Sequence, residues 1–281
     1  MGCCYSRWPL SPRESCASSS AAWSVSLVER FLAHPRTKGL DLDSPETTAL
    51  RREIILSKPF LRLVYLDWYN RIVDRIPQGP GRVLEIGAGG GFLELALPGL
   101  VTSEVFYVRG VDLVADARQL PFGANSLKSI VMTNVLHHIP DVAEFMSEAE
   151  RALRPGGRVI MVEPWNTGWS RFVHEHFHDE PMIPDAAAWG FPMSGPLSGA
   201  NAALAWMVTE RDRGRLEAEW RLRVSEAEPF MPFRYIVSGG VSLRSLQPRW
   251  MYPFWSWVDS RKVIKQRYAV FAFIVLDRTA S

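Results

Sequence analysis

Two segments near the start of the chain have apolar residues at helical spacing. The first begins at Asp43, with Ser44 as a candidate N-cap and Pro45 at the first helical position. The second begins near Pro59 and forms one wide apolar face, which we predict to pack into a core. That face is made of Phe60, Val64, Trp68, Ile72 and Ile76, beside Leu61, Tyr65, Tyr69 and Val73. A helix that crosses a ligand cleft and brings Tyr65 or Tyr69 to the ligand is the alternative.

Short apolar runs of strand length follow, separated by glycine turns and helices. The runs cover residues 82–86, 105–108, 111–115, 129–133 and 158–162, and helices are predicted at 92–97 and 141–153. Asp141 and Glu144 form a capping box for the second helix, and RPGG marks its end. Strands separated by helices imply parallel pairing with right-handed crossovers, so the predicted fold class is α/β.

The chain changes character after Glu163. Residues up to about 201 are dense in Pro, Gly, Trp and His, and we interpret them as irregular cover over the carboxyl edge of the sheet. Helical segments are then predicted at 202–207 and 211–220, and strands at 222–227 and 268–276. An aromatic insertion that includes PRWMYPFWSW separates these last two strands.

Composition and charge narrow the class of protein. The 281 residues are 47% hydrophobic and 22% charged, which suits one large α/β domain, and the net charge of +2 gives no indication of a nucleic-acid partner. Cys3, Cys4 and Cys16 are the only cysteines, so the body of the chain has no disulfide and no thiolate metal site. Without a bilayer-length apolar run or a secretory signal, a soluble cytoplasmic protein is expected.

The first 24 residues show no periodicity and are expected to be a disordered extension. Their MGCCYS start fits the myristoylation pattern at Gly2 and Ser6, with neighbouring cysteines that are candidates for palmitoylation. A flexible extension without lipid, or a mis-assigned start codon, explains the same residues more simply.

A glycine-rich turn in VLEIGAGGG joins a strand buried on both faces to the next helix. Small residues at 87–91 let a ligand touch the backbone there. A dinucleotide site requires G-x-G-x-x-G, but Gly87 and Gly89 are followed by Phe92 where the third glycine belongs. A dinucleotide oxidoreductase is therefore disfavoured.

Three further segments follow this turn at the spacing of successive strands: Asp116-Ala117 with LPF just after it, TNVLHHIPD at 133–141, and LRPGGRVIMVEP at 153–164. With them, residues 80–165 resemble the class I methyltransferases, specifically the type 11 group. The resemblance implies a Rossmann-like, doubly wound, mostly parallel seven-stranded sheet with an antiparallel last strand, N-terminal helices and a C-terminal insertion. It also implies S-adenosylmethionine as the cofactor.

The resemblance assigns cofactor contacts to individual positions. It implies that the glycine turn contacts the methionine and ribose parts of the cofactor. Residues after the third strand would contact the adenine amine, and a residue after the fourth strand would make a further cofactor contact. These positions are Glu85, Gly87, Ala88, Gly89 and Gly91 for the turn, Asp116 and Ala117 for adenine, and Asn134 after the fourth strand.

An acidic residue that ends the second strand normally accepts both ribose hydroxyls. Glu104 and Asp112 are the candidates, and Asp112 lies too close to Asp116 for a crossover, which favours Glu104. The short interval from Glu104 to Asp116 also implies that the helix usual between these strands is missing.

Methyl transfer from a sulfonium needs no covalent nucleophile, but an oxygen or nitrogen acceptor often needs a base. His137 and His138 follow the fourth strand at the sheet edge where ligands bind, and are the candidate catalytic residues. Capping of local backbone before Pro140 is the competing interpretation.

A second histidine group lies in HEHFHDE. His174 and His178 would share a helix face, and Asp179 or Glu180 could add oxygen ligands. A polar loop that also holds His176 collects histidines easily, so no metal site is assigned.

The predicted function is methyl transfer from S-adenosylmethionine to a small or carrier-linked acceptor, with oxygen or nitrogen favoured over carbon. A methyltransferase-like binding protein without turnover is the alternative. Tryptophans and phenylalanines at 247–257 suggest an acceptor wall, peripheral membrane contact or simple core packing. The predicted organisation is an extension at 1–24, a helical cover at 25–79, and a methyltransferase domain at 80–281 with insertions at 165–218 and 229–266.

Overall fold

A computed structural model of the protein describes residues 44–178, 180–192, 195 and 199–280. The chain starts there with two helices, α1 (Pro45–Ser57) and α2 (Pro59–Arg75), as the periodicity predicts. Ser44 caps α1, since its Oγ accepts a hydrogen bond from the Thr47 N–H at 3.1 Å. The predictions of disorder and lipidation for residues 1–24, including all three cysteines, lie outside the described residues.

Seven strands form one sheet in the order β3-β2-β1-β4-β5-β7-β6. The strands are β1 (Arg82–Ile86), β2 (Val101–Glu104), β3 (Leu113–Val114), β4 (Leu127–Thr133), β5 (Leu153–Pro164), β6 (Leu222–Phe230) and β7 (Phe271–Arg278). Neighbours from β3 to β5 pair in parallel, and β7 pairs antiparallel with both β5 and β6. The predicted mostly parallel seven-stranded sheet with an antiparallel last strand is confirmed.

The sheet has an apolar layer on each face because its strand residues alternate in direction. Leu84 and Ile130 pack in one cluster with Phe145 of helix α3 (Val142–Ala152). Val83 and Trp68 belong to the other cluster, so α2 covers the opposite face. Trp68 is completely buried, and burial of each such large side chain contributes about 1.5–3 kcal/mol.

The second strand differs from its prediction. The apolar run 105–108 was expected to be a strand, but Val105 and Tyr107 are exposed in the bends that follow β2. The actual strand holds buried polar residues, since the Ser103 hydroxyl donates to the Glu85 carbonyl at 2.9 Å. Internal hydrogen bonds let polar side chains occupy buried strand positions, so hydropathy alone misplaces this strand.

Both crossovers on this side of the sheet are shorter than expected. The predicted helix 92–97 is a single 3₁₀ turn, Leu93–Leu95, ended by Pro98 and Gly99. Residues 105–112, all described, form bends and turns between β2 and β3, which confirms that the helix usual at this place is missing.

The segment between β5 and β6 is more helical than predicted. Helix α4 (Gly168–Phe177) replaces the expected irregular cover, and Thr167 caps it by accepting from the Ser170 N–H at 3.0 Å. The later predicted helices are present as α5 (Leu204–Trp206), a π-helical stretch Met207–Arg211 and α6 (Arg213–Glu219). Trp169, Phe172, Val173 and Phe177 do recur at helical spacing, but the high density of Pro, Gly, Trp and His residues around them was interpreted as irregular cover.

The aromatic insertion before β7 consists of short helices: α7 (Arg234–Val237), a 3₁₀ turn Arg249–Met251, α8 (Tyr252–Asp259) and α9 (Lys262–Tyr268). Over the residues that the structure describes, no helix is long and apolar enough to cross a bilayer. The proposed domain boundaries stay predictions.

Candidate functional site

A cavity of about 580 Å³ opens where the carboxyl ends of β1, β2, β4 and β5 meet. Helix α1 contributes Thr48 and Arg51 to its wall, and α4 contributes His174. A volume in this range, at this edge of a parallel sheet, is typical of small-molecule sites.

The glycine turn after β1 forms one wall of the cavity, and its geometry admits only glycine at two positions. Gly87 has φ +69, and a Cβ there would lie 2.4 Å from Cγ2 of Val135. A Cβ on Gly89 would lie 2.8 Å from the Glu104 carboxylate and 2.4 Å from the methyl group of Thr48. Gly87, Gly90 and Gly91 line the cavity, whereas Ala88 and Gly89 do not, so the cofactor contacts expected of these two stay predictions.

Glu104 ends β2 and lies in the cavity wall beside this turn. Its carboxylate accepts from the Gly89 N–H at 3.2 Å and the Val105 N–H at 2.9 Å, and burial raises its pKa. Asp112 accepts instead from the N–H and the hydroxyl of Thr102, at 2.8 and 2.9 Å, and does not line the cavity. Of the two candidates for the ribose contact, Glu104 alone has access to a ligand there.

Glu85 is buried at the floor of the cavity, and its Oε2 has no hydrogen-bond partner among the described residues. Burial and the neighbouring Glu94 raise its pKa to about 8, against the opposing effect of Arg52. Asn134 has a positive φ of +58°, and its side-chain Oδ1 is likewise buried without a hydrogen-bond partner within the described chain. Unpaired buried acceptors are costly, so the two groups fit a ligand that brings hydrogen-bond donors.

Asp116 and Ala117 lie after β3 and also line the cavity. The Asp116 carboxylate accepts from Arg118, with Nη2 at 2.7 Å and Nε at 3.0 Å, and this hydrogen bonding lowers its pKa. A contact with an adenine amine would share that carboxylate with Arg118. The adenine role of Asp116 and Ala117 stays a prediction.

His137 and His138 follow β4 in a 3₁₀ turn and face the same cavity. His137 Nδ1 lies 2.6 Å from the carboxylate of Glu163, and its Nε2 lies 3.2 Å from Glu180. Burial would lower the pKa of His137, but these two carboxylates outweigh burial and raise that pKa to about 10. The same contact holds the pKa of Glu180 well below its usual range, despite burial.

The second histidine group is only partly brought to the cavity. His174 and His178 share a face of the α4 end, with ring centroids 4.9 Å apart, and both line the cavity. His176 points elsewhere and stacks on Phe172. Burial, with repulsion from His178, lowers the pKa of His174 to about 4. Asp179 lies outside the described residues, and Glu180 contacts His137 at 3.2 Å and His178 of its own segment at 3.7 Å.

Several cavity residues were missed by the sequence analysis. Thr48 and Arg51 come from the first helix, to which the sequence assigned no ligand contact, and Tyr235 comes from the aromatic insertion. Tyr65 and Tyr69 both line the cavity as well as packing in the core, and the Tyr69 hydroxyl accepts from the Phe92 N–H at 3.0 Å. Glu163 was visible as a charged residue inside an apolar strand, which is the signal that identifies it.

Comparison with known proteins gives a family match for the sheet centre. Residues 84–161 match the family model described as a methyltransferase domain, of the type 11 group. A demethylmenaquinone methyltransferase of Lactiplantibacillus plantarum is 27% identical over 137 residues, covering 47% of this chain and 51% of that protein. A ubiquinone/menaquinone biosynthesis C-methyltransferase of Geotalea daltonii is 25% identical over 144 residues, covering 42% of this chain and 61% of that protein.

The matched region thus spans 51% and 61% of the length of these two relatives. Among solved structures, a geranyl diphosphate C-methyltransferase from Streptomyces coelicolor is similar over 88% of this chain and 89% of its own, at 13% identity and a TM-score of 0.48.

Proposed function

We propose that this chain, which contains a class I methyltransferase domain of the type 11 group, transfers a methyl group from S-adenosylmethionine to a small or carrier-linked acceptor. The observation that carries the proposal is the meeting of two sets of residues in one cavity. The glycine turn, Glu85 and Glu104 stand on one side, and His137, His138 and Glu180 stand on the other.

The first set suits S-adenosylmethionine, which supplies an activated methyl group on sulfur. Glu104 would accept the two ribose hydroxyls, and the unpartnered Oε2 of Glu85 would accept from the methionine ammonium. Gly87 and Gly89 keep the turn free of side chains, and Asn134 offers an unpaired carbonyl oxygen. Asp116 and Ala117 would contact the adenine.

The second set suits an acceptor that must lose a proton. His137 is held as an imidazolium between Glu163 and Glu180, so it would orient Glu180 rather than take a proton itself. His138 and Glu180, which lie 3.5 Å apart, are then the groups placed to remove the proton. The methyl group moves to the acceptor atom as the S–C bond breaks, and S-adenosylhomocysteine leaves.

Apolar side chains complete the acceptor wall, among them Phe177, Phe191 and Leu246. This lining, and relatives named for quinone biosynthesis, support an acceptor with an apolar body and an acidic hydroxyl group. Oxygen or nitrogen is the proposed acceptor atom, because loss of one proton raises the nucleophilicity of that atom directly, whereas a carbon acceptor also needs the charge to reach a ring carbon.

A reduced 1,4-naphthoquinol under argon, with methyl-labelled S-adenosylmethionine, tests both the activity and the acceptor atom. Oxygen transfer gives a labelled methyl ether, and carbon transfer gives a ring-methylated quinol of equal mass that fragments differently. A methyl ether is expected. A ring-methylated product would keep the activity and overturn the proposed atom. Binding of S-adenosylhomocysteine without transfer to quinol, phenol or amine probes would favour the alternative, a binding protein without turnover.

We also propose peripheral contact with an anionic membrane surface. Trp250, Trp257 and Val263 are exposed by 75%, 57% and 74%. Arg261 stands over the Trp257 ring at 4.1 Å, and Lys262 follows it. Exposed aromatic residues beside cations match the headgroup region of such a surface. The exposed Leu246 links this region to the cavity wall.

A further inference from the structure

We infer that His137, His138 and Glu180 form a binding site for a divalent transition-metal ion, with Zn²⁺ as the favoured ion. One ligand atom from each residue lies within 4.8 Å of the other two. Two imidazoles and one carboxylate are a ligand set that holds Zn²⁺ with a coordination position left open. All three residues line the cavity on its acceptor side.

The Nδ1 atom of each of the two imidazoles already has a protein partner. His137 Nδ1 contacts Glu163 Oε2 at 2.6 Å, and the other oxygen of Glu163 accepts from the N–H groups of Val135 and Leu136 at 2.7 and 2.9 Å. His138 Nδ1 contacts the Gly199 carbonyl at 3.0 Å, and a carbonyl oxygen can only accept, so this nitrogen carries the hydrogen.

This arrangement leaves the Nε2 atom of each ring directed at the same carboxylate. A buried carboxylate or a backbone carbonyl behind Nδ1 is the usual support of a metal-binding histidine, since it fixes the tautomer and the ring orientation. Glu163 and Gly199 supply one support of each kind.

The spacing of the ligand atoms also suits a bound ion. Bonds of about 2.0–2.2 Å from Zn²⁺ to nitrogen and oxygen, at tetrahedral angles, place neighbouring ligand atoms about 3.4 Å apart. The observed separations are 3.2 Å from His137 Nε2 to Glu180 and 3.5 Å from His138 Nε2 to Glu180. The ion would take the place of the proton that His137 Nε2 shares with Glu180 in the metal-free protein.

Two further histidines surround the site. His178 Nδ1 lies 3.7 Å from Glu180, and the Nδ1 of the buried His174, on the same cavity wall, has no hydrogen-bond partner within the described residues. A buried ring nitrogen without a protein partner, on the wall that also holds Glu180, fits a ligand with a polar group in this part of the cavity.

The open coordination position would face the acceptor. Resting on the proposed function, the ion would bind the acceptor's oxygen and lower the pKa of its hydroxyl, as Zn²⁺ does for water, so that the proton leaves to solvent and His138 and Glu180 act as ligands instead of as the base. The proposed ligand class is therefore Zn²⁺ or a similar first-row dication, together with an oxygen-bearing acceptor.

The full chain without a histidine tag, stripped by a chelator, tests the inference with Zn²⁺ alone. Competition with a chromophoric chelator is expected to show one Zn²⁺ per chain, and Co²⁺ is expected to give the visible spectrum of a low-symmetry nitrogen–oxygen site. His138→Ala and Glu180→Gln should each weaken Zn²⁺ binding at least 100-fold, and Glu163→Gln about 10- to 100-fold.

The matched control is His176→Ala. The imidazole of His176 lies on α4 but stacks on Phe172 away from the proposed site, so its removal should leave Zn²⁺ affinity unchanged. Binding of S-adenosylhomocysteine by a variant shows that the variant is folded. A protein that binds S-adenosylhomocysteine but not Zn²⁺ contradicts this inference alone and leaves the proposed function standing. Absence of stoichiometric Zn²⁺ at micromolar free metal, or equal affinity in the wild type, His138→Ala and Glu180→Gln, would overturn the inference.

Discussion

Glu85 lines the cavity with a buried carboxyl group, one oxygen of which has no hydrogen-bond partner within the described residues, and burial raises its pKa to about 8. Below this pH the free protein holds the group mostly protonated. An ammonium group on a bound ligand favours the ionised form and lowers the pKa again. Cofactor binding at neutral pH should therefore be accompanied by proton release.

Calorimetric titration with S-adenosylhomocysteine at pH 7 in two buffers of different ionisation enthalpy measures this release. We expect most of one proton per site, because Glu85 passes from protonated to ionised. Glu85→Gln should abolish the release and weaken binding about 10-fold. Identical enthalpies in both buffers for the wild type would contradict this role of Glu85.

Glu104 and Asp112 provide a matched pair of acidic residues eight positions apart, since Glu104 lines the cavity and Asp112 accepts hydrogen bonds from Thr102. Glu104→Gln should weaken S-adenosylhomocysteine binding about 10- to 100-fold, the effect of losing a charged acceptor for two hydroxyls. Asp112→Asn should leave the affinity within about 2-fold, because Asp112 is outside the cavity wall. Calorimetry on both variants checks the pair, and the reverse order of effects would assign the ribose contact to Asp112.

At the scale of elements, a buried ion pair joins the short helices of the aromatic insertion. Arg234 of α7 contacts Asp259 of α8 at 2.8 Å and the Tyr252 hydroxyl at 2.8 Å, and it reaches Asp67 of α2 at 3.3 Å. Both Arg234 and Asp259 are buried. The insertion is thereby fastened to the helix that covers the sheet and lines the cavity.

Asp259→Ala should lower the free energy of unfolding by about 3–5 kcal/mol, because it leaves the Arg234 guanidinium buried without its main partner. The exposed pair Arg215–Glu219 offers the control, and Glu219→Ala should change that free energy by less than about 1 kcal/mol. Urea unfolding of both variants measures the difference. Equal stability of Asp259→Ala and wild type would show that the pair does not hold α7 and α8.

The elements that the sequence predicted correctly are those with a strong period or a cap. α1, α2, β1 and α3 follow their patterns, and the glycine turn fell where VLEIGAGGG indicates. β2 was displaced because Thr102 and Ser103 are buried through hydrogen bonds, and α4 was missed because Pro, Gly and His residues around its short apolar stripe indicated an irregular segment. The apolar pattern of a sequence indicates which positions are buried only where the buried side chains are themselves apolar.

The sequence predicted which residues at strand ends line the cavity better than it predicted those that come from the cover. Residues 85, 87, 91, 104 and 116 lie at or just after strand ends, so chain order alone brings them to one edge of the sheet. The contact between His137 and Glu180 depends on how α4 and the segment after it fold over that edge, and neither spacing nor composition specifies this packing.

At the scale of the whole molecule, the exposed aromatic residues of the insertion predict membrane contact. The protein should co-sediment with vesicles that contain phosphatidylglycerol. The double variant Trp250→Ser, Trp257→Ser should bind these vesicles at least 5-fold more weakly. Salt should weaken the contact as well, because cations stand beside the rings. The variant should bind S-adenosylhomocysteine normally. Equal co-sedimentation of the variant and the wild type would contradict membrane contact through Trp250 and Trp257.

The central claim is that the turn at 87–91, Glu85, Glu104 and Asp116 enclose a site for S-adenosylmethionine. Calorimetric titration of the full chain with S-adenosylhomocysteine, and separately with a nicotinamide dinucleotide, tests it most directly. The account predicts one S-adenosylhomocysteine bound per chain and no heat from the dinucleotide. Binding of the dinucleotide alone, or of neither, would contradict it.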